Sequence, residues 1–236
     1  MNRRAVFWLD FIIPILLLAL GTLLIRALDL DLNWSGRFFD GKAWTGKQVA
    51  FFDFMYDYGT LPALLLSIAG LAIFLVSLFS QRISRLWKAR GLFLLVVMLL
   101  GPGLIVNSLL KEHWGRPRPR SVSEFRSAAD TLKHYSFEEV LNYDPASPGN
   151  SFPSGHASMG FYFFVLFFLF RKRGLWLSAL LLLFPLVYGF GMGYVRVAQG
   201  GHFPSDVLWS GGIIYLTCAA AYYLLKLDQL ERKGAQ

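Results

Sequence analysis

The sequence predicts an all-α, polytopic membrane bundle of six transmembrane helices, built as a single domain over residues 1–236. Three observations predict it. Apolar residues make up 55% of the chain and aromatics 17%, above the roughly 45–50% apolar content of soluble domains. The surplus falls in blocks long enough to cross a bilayer at about 1.5 Å per residue. The short links between blocks are dense in Lys and Arg, as cytoplasmic loops are.

The elements follow in order. Arg3 and Arg4 precede an apolar run over 7–28. No small-residue cleavage site follows it, so it reads as a retained first helix. Residues 29–59 are rich in aromatics (Trp34, Phe38, Phe39, Trp44, Phe51, Phe52, Phe54) and are expected to lie in the interface as one or two short helices. The second span covers 61–80, with Thr60 as a cap and Pro62 in the first turn. The third covers 91–110, where Pro102 between Gly101 and Gly103 predicts a kink. A polar insert over 120–152 follows, with helical character at about 123–142 and the length expected of a functional loop such as a lid. It carries Arg126, Lys133, Glu138, Glu139 and Asp144. The fourth span, 155–170, includes a Phe-rich run from Phe161 to Phe170 that faces lipid tails or anchors the chain. The fifth, 175–194, carries a second kink at Pro185 and a Gly189, Gly191, Gly193 series read as close helix packing. The sixth covers 206–225. Cys218 lies in it as the sole cysteine, so no internal disulfide forms and it reads as inert packing.

The formal net charge is +8. There is no basic tail, and the cations sit at span ends or within polar clusters, so membrane topology and phosphate binding account for them better than nucleic acid does. Arg82, Arg85, Lys88 and Arg90 crowd one short link, and Arg171, Lys172 and Arg173 another. With Arg3, Arg4, Lys226, Arg232 and Lys233 they mark one side as cytoplasmic, with both termini on it. Three polar clusters then fall on the other side: Lys111 to Pro119, Pro153 to His156, and Arg196 to Asp206.

These clusters hold what phosphate chemistry needs: cations for phosphoryl oxygens, one histidine to attack phosphorus and another to protonate the leaving oxygen. Lys111 and Arg118, taken alone, are interfacial cations snorkelling at a span end. Together with the other clusters they become a point charge and a planar fork for phosphate. Arg116 and Arg120 are expected to face solvent or lipid headgroups. Ser154, Gly155 and His156 open the fourth span, where free N–H groups bind anions and where a serine also serves as an ordinary cap. His202 and Asp206 are four apart and can meet across one helical turn beside Arg196. An aspartate accepting one ring N–H fixes the tautomer and frees the other nitrogen. A hydrolase triad through Ser154 lacks a Gly-x-Ser-x-Gly elbow. A zinc site lacks His-Glu-x-x-His, and the clustered cations repel a metal. His113 and His134 fit no role and read as exposed or interfacial.

The spacings Lys-x6-Arg-Pro, Pro-Ser-Gly-His and Arg-x5-His-x3-Asp resemble the signature of the type 2 phosphatidic acid phosphatase superfamily over about residues 95–225. Val195 stands where many members have serine, which removes one supporting hydrogen bond. The resemblance implies metal-free hydrolysis without a cofactor, through a phosphohistidine. His202 is then the nucleophile, Asp206 its orienter, and His156 the general acid and later the base. Lys111, Arg118, Ser154, Gly155 and Arg196 hold the phosphoryl group. The implied substrate is a membrane lipid phosphate: phosphatidylglycerophosphate, undecaprenyl pyrophosphate, phosphatidic acid or diacylglycerol pyrophosphate, or lipid A phosphate. The implied place is the outer face of a bacterial inner membrane, with no obligate protein partner. A lipid phosphotransferase and a non-catalytic lipid-phosphate binder or transporter are the alternatives. The intact His202–Asp206 pair speaks against the binder.

Overall fold

The computed structural model describes residues 3–80, 82–127, 134–147 and 149–233. Lys133 of the insert, and the side chains of Arg3 and Lys233 used in the charge argument, lie outside the described residues. The helices are α1 (Arg3–Ala27), α2 (Leu30–Gly36), α3 (Ala50–Tyr58), α4 (Leu61–Phe79), α5 (Arg85–Met98), a π-helical continuation (Leu99–Leu110), α6 (Lys111–His113), α7 (Gly155–Phe161), α8 (Phe164–Phe170), α9 (Leu175–Ala198), α10 (Pro204–Leu224) and α11 (Leu227–Lys233). Among the described residues no strand forms beyond isolated bridges.

Five helical stretches are long and apolar enough to span a membrane: Arg4–Ala27, Ala50–Phe79, Arg85–His113, Leu175–Ala198 and Pro204–Leu224. The expected fourth span keeps its bounds, Gly155–Phe170, as an apolar helical stretch shorter than those five and split into α7 and α8. The second span is longer than expected, because α3 feeds directly into α4. Thr60 makes no side-chain cap there, while Pro62 does sit in the first turn. α9 continues through Pro185.

At Pro102 the distortion is a change of helix type. Proline removes an N–H from the ladder, and the backbone widens into π-type turns over Leu99–Leu110. The Asn107 side-chain amide donates to the Pro102 carbonyl at 2.7 Å. This stretch delivers Asn107 and Lys111 to the site.

The apolar core lies between α5, α7, α8 and α10, around Phe93, Phe161, Phe164, Phe168, Ile214 and Tyr222. The Phe-rich run therefore packs largely inward: Phe161 and Phe168 are fully buried and Phe164 nearly so. α1 does face outward, with Trp8, Leu16, Leu17 and Leu23 exposed, as a lipid-facing helix requires. In the glycine series, a methyl on Gly189 would strike the Phe161 ring and one on Gly193 would strike Val207. Gly191 meets nothing within 4 Å, because two residues along a helix point to different faces.

The insert is not helical over the described part of 123–142. It forms a single 3₁₀ turn at Ser123–Phe125 and then runs back over the cluster ends. Val122 and Phe125 join Trp44 and Phe203 in a small second core.

Candidate active site

The three clusters converge at one end of the bundle. Ser210 on α10 donates to the Ser154 carbonyl at 3.0 Å, which fixes the second cluster against the third. The Ser154 hydroxyl accepts from Ala157 N–H as the N-cap of α7. At Gly155 an added Cβ would come within 2.7 Å of Asn107 Oδ1 and 3.4 Å of Lys111 Nζ. Only a glycine leaves room for the Asn107 amide beside the backbone here, with Lys111 in ordinary contact next to it. A Cβ on Gly201 would collide with the Arg196 guanidinium, so Gly201 is what admits that side chain, while Gly200, at φ +66°, makes room for the Trp44 ring.

Lys111 and Arg118 are half-buried and Arg196 is buried. The Nε atoms of Arg118 and Arg196 are buried with no hydrogen-bond partner among the described residues. Burial, then repulsion from Arg120, lowers the pKa of Arg118. The site thus concentrates positive charge, and among the described residues Lys111, Arg118 and Arg196 form no ion pair with a carboxylate, the condition under which an incoming phosphate binds.

Each histidine is oriented by a backbone carbonyl. His202 Nδ1 lies 2.6 Å from the Ser151 carbonyl. A carbonyl only accepts, so Nδ1 carries the proton and Nε2 presents its lone pair. Asp206 Oδ2 stands 3.7 Å from the same nitrogen, beyond hydrogen-bond range. The expected Asp206–ring hydrogen bond is therefore replaced by the Ser151 carbonyl. The reason is that His202 precedes α10, so the spacing of four does not act across a helical turn. Burial holds the pKa of His202 at about 4, against the pull of Asp206 and with the help of Arg196 and Lys111. His156 is half-buried, and its Nε2 donates to the Tyr56 carbonyl at 3.2 Å. Its ring stacks on that of Tyr56 with centroids 4.6 Å apart.

Several residues at the site carried no sequence signal. Tyr56, on α3, also lies under the Arg196 guanidinium at 4.5 Å. Gln199 accepts from Arg196 Nη1 at 2.5 Å and donates to Asp53 at 3.1 Å, supporting the arginine where Val195 cannot. Ser151 stands three residues before the second cluster's serine and shows only as a polar neighbour of it.

Arg116 corrects an expectation. It is 1% exposed rather than facing solvent or headgroups. Nη1 donates to Asp206 Oδ1 at 2.5 Å and Nη2 to Asp31 Oδ2 at 2.7 Å. Burial opposes its charge, but Asp206 and Asp31 outweigh that and raise its pKa. Arg120 is exposed, as expected. His113 is exposed, with Nδ1 2.9 Å from the Leu109 carbonyl, and His134 is half-buried beside the Val122 carbonyl.

Two cavities open beside the cations. One of 430 Å³ is lined by Asn107, Lys111, Glu112, Ser147, Gly149 and Asn150. The other, of 270 Å³, is lined by Arg118, Arg120, Ser121, Tyr135, Gly149 and Asn150 among others. Gly149 and Asn150 are common to both.

The PAP2 superfamily model matches residues 90–229. The chain belongs to the PAP2 superfamily. The match spans all three clusters. The lipid A 4'-phosphatase of Francisella tularensis subsp. novicida is 33% identical over 199 residues, covering 84% of this chain and 86% of that protein. The lipid A 4'-phosphatases of Rhizobium leguminosarum and Rhizobium etli are each 33% identical, over 66% and 59% of this chain and 61% and 51% of their own lengths. No solved structure matches. Asp31 and Tyr56 lie outside the PAP2 match, which is why motif reading alone does not reach them.

Proposed function

We propose that this membrane lipid phosphatase removes the 4'-phosphate of lipid A, through a phosphohistidine on His202, at the extracytoplasmic face of a bacterial inner membrane. The observation that carries the mechanism is the tautomer of His202: Nδ1 is committed to the Ser151 carbonyl, beside cations whose buried Nε atoms have no protein partner. The shared name of the three relatives supports the choice of lipid.

The phosphoryl oxygens bind Lys111, Arg118 and Arg196, with the Ser154 hydroxyl and the backbone at Gly155 completing the cage. His202 Nε2 attacks phosphorus, and the bond from phosphorus to the leaving oxygen breaks. The proton for that oxygen enters with the phosphate monoester, bound as its monoanion: His156 Nδ1 takes it up and passes it to the leaving oxygen, while Nε2–H stays on the Tyr56 carbonyl. In the second step His156 takes a proton from water, which attacks phosphorus and breaks the N–P bond, releasing phosphate.

The test is purified protein in detergent with excess EDTA, assayed against lipid A, phosphatidylglycerophosphate, undecaprenyl pyrophosphate and phosphatidic acid. Free phosphate and the mass of the lipid product are both measured. The highest kcat/KM is expected for lipid A, with loss of the 4'-phosphate. Preference for another lipid overturns the substrate. Phosphate appearing on a second lipid instead of in water makes the protein a phosphotransferase. Tight binding without turnover makes it a binder. Activity restored only by a divalent ion rejects the cation cage.

A further inference from the structure

Asp31 belongs to none of the three clusters and lies outside residues 90–229, yet it is 5% exposed in the heart of the site end. Its carboxylate is fully engaged. Oδ1 accepts the backbone N–H of Ser205 at 2.9 Å, and Oδ2 accepts the Ser205 hydroxyl at 2.6 Å and Arg116 Nη2 at 2.7 Å. Arg116 Nη1 continues to Asp206 Oδ1 at 2.5 Å and to Ser205 Oγ at 2.7 Å, and its Nε donates to the Glu138 carbonyl at 2.9 Å. Asp206 Oδ2 accepts the Ser151 hydroxyl at 2.6 Å and the Phe203 N–H at 2.8 Å. Asp206 is thereby locked from three directions, 3.7 Å from His202 Nδ1.

One carboxylate would neutralise Arg116. Two flank it, so the buried trio carries a net charge of −1. Buried charge is costly unless something compensates it. Lys111 and Arg118 feel Asp206 from farther off; the group beside it whose charge changes in the reaction is the His202 ring, 3.7 Å away, which is neutral at rest and becomes cationic once Nε2 bonds to phosphorus while Nδ1 keeps its proton. In that step the Nε2 lone pair forms the N–P bond, the electrons of the breaking P–O bond go to the leaving oxygen, and that oxygen takes the proton from His156. The ring gains one positive charge beside a fixed negative one, a preorganised stabilisation of developing charge.

We propose that Asp31 is a positioning residue for His202: through Arg116 and Ser205 it clamps the Asp206 carboxylate, and the clamp's surplus negative charge stabilises the cationic phosphohistidine. The inference rests on His202 as the nucleophile.

The test uses Asp31→Asn, Asp31→Glu and His202→Ala in the full-length protein. Steady-state kinetics on the preferred lipid are combined with rapid-quench measurement of acid-labile phosphoenzyme. For Asp31→Asn we expect kcat and the rate of phosphoenzyme formation to fall together by about 10- to 100-fold, less than the loss of a directly contacting orienter costs. KM should stay within about threefold, since the cation cage is untouched. Asp31→Glu should recover part of the loss, because it keeps the charge. Unchanged kcat, or a loss confined to KM, overturns the proposal. If Asp31→Asn does not fold, Ser205→Ala carries the test by removing only the hydroxyl between Asp31 and Arg116. A fall in kcat at constant KM supports the clamp, and wild-type kcat overturns it. Turnover surviving in His202→Ala defeats the nucleophile reading itself. A dead His202→Ala beside a normal Asp31→Asn defeats the clamp alone.

Discussion

The burial of His202 sets its protonation state. Its pKa of about 4 keeps the ring neutral across the neutral range, so Nε2 is nucleophilic without a neighbouring base to deprotonate it. In ligand-free protein, NMR of histidine ring nitrogens should show His202 neutral, with its single proton on Nδ1, down to about pH 4; titration near the ordinary 6.5 would contradict this. The stability consequence has a definite sign. Between about pH 6.5 and 4 the unfolded chain holds a proton on this residue that the native state does not, so stability falls as pH falls through that window. Tyr56 makes a second prediction at this scale. It contributes a carbonyl to His156 and a ring face to both His156 and Arg196, with no hydrogen bond described for its hydroxyl. Tyr56→Phe should keep kcat/KM within about twofold, whereas Tyr56→Ala should lower it by about tenfold, the worth of roughly 1–2 kcal/mol of stacking. Equal losses in the two variants would assign the effect to the hydroxyl.

Among the elements, the insert departs most from its sequence pattern. Helical character is expected at about 123–142, but Val122 and Phe125 pack with Trp44 and Phe203, and only a 3₁₀ turn forms at Ser123–Phe125. Its backbone carbonyls serve the site, Glu138 holding Arg116 and Ser151 holding His202. Tertiary contacts of this kind override local propensity. They also make wholesale deletion of the insert a poor probe, since it would release two catalytic-end side chains. A point change at Asn150 is better, because this exposed residue lies between the two cavities beside the cations. Asn150→Leu should alter the ratio of kcat/KM between two lipid phosphates while changing hydrolysis of p-nitrophenyl phosphate by less than about twofold, since a small ester reaches the cage without using the flanking cavities. Equal losses on all three substrates would place Asn150 in support of the cage rather than in selection.

Across the whole molecule, charge is partitioned between the two ends of the bundle. Opposite the site, Asp10 on α1 pairs with Arg171 at 2.7 Å and accepts the Tyr223 hydroxyl at 2.6 Å, while Glu231 on α11 meets Lys172 and Arg90 at 3.0 and 3.5 Å. The basic residues expected on the cytoplasmic side thus also tie α1 and α11 to the bundle. Removing one partner of a buried pair costs about 3–5 kcal/mol. Asp10→Ala should therefore lower Tm by several degrees, with kcat/KM of the folded fraction unchanged. An unaltered Tm would mean the pair holds nothing. Sidedness is tested with Ser123→Cys and Ser84→Cys, each in a Cys218→Ala background. Both positions are exposed and uncharged, so the substitutions leave the charge bias intact. A membrane-impermeant thiol reagent on intact cells should label only the cysteine at 123. The opposite pattern would put the site in the cytoplasm.

Spacing and hydropathy by themselves determined the helical membrane class, the spans apart from the split fourth, and the identity of the cations and histidines that meet at one end. These follow from periodic burial and from short motifs, both of which are local in the chain. Only the tertiary structure decided that Arg116 is buried, that Ser151 rather than Asp206 bonds the His202 ring, and that Tyr56 and Asp31 reach the site. Those contacts join residues 51 to 174 positions apart. A lone arginine, tyrosine or aspartate carries no periodicity that reports its partner. Whether a charged side chain faces water or a buried carboxylate depends on which distant element arrives beside it, and that is settled by packing.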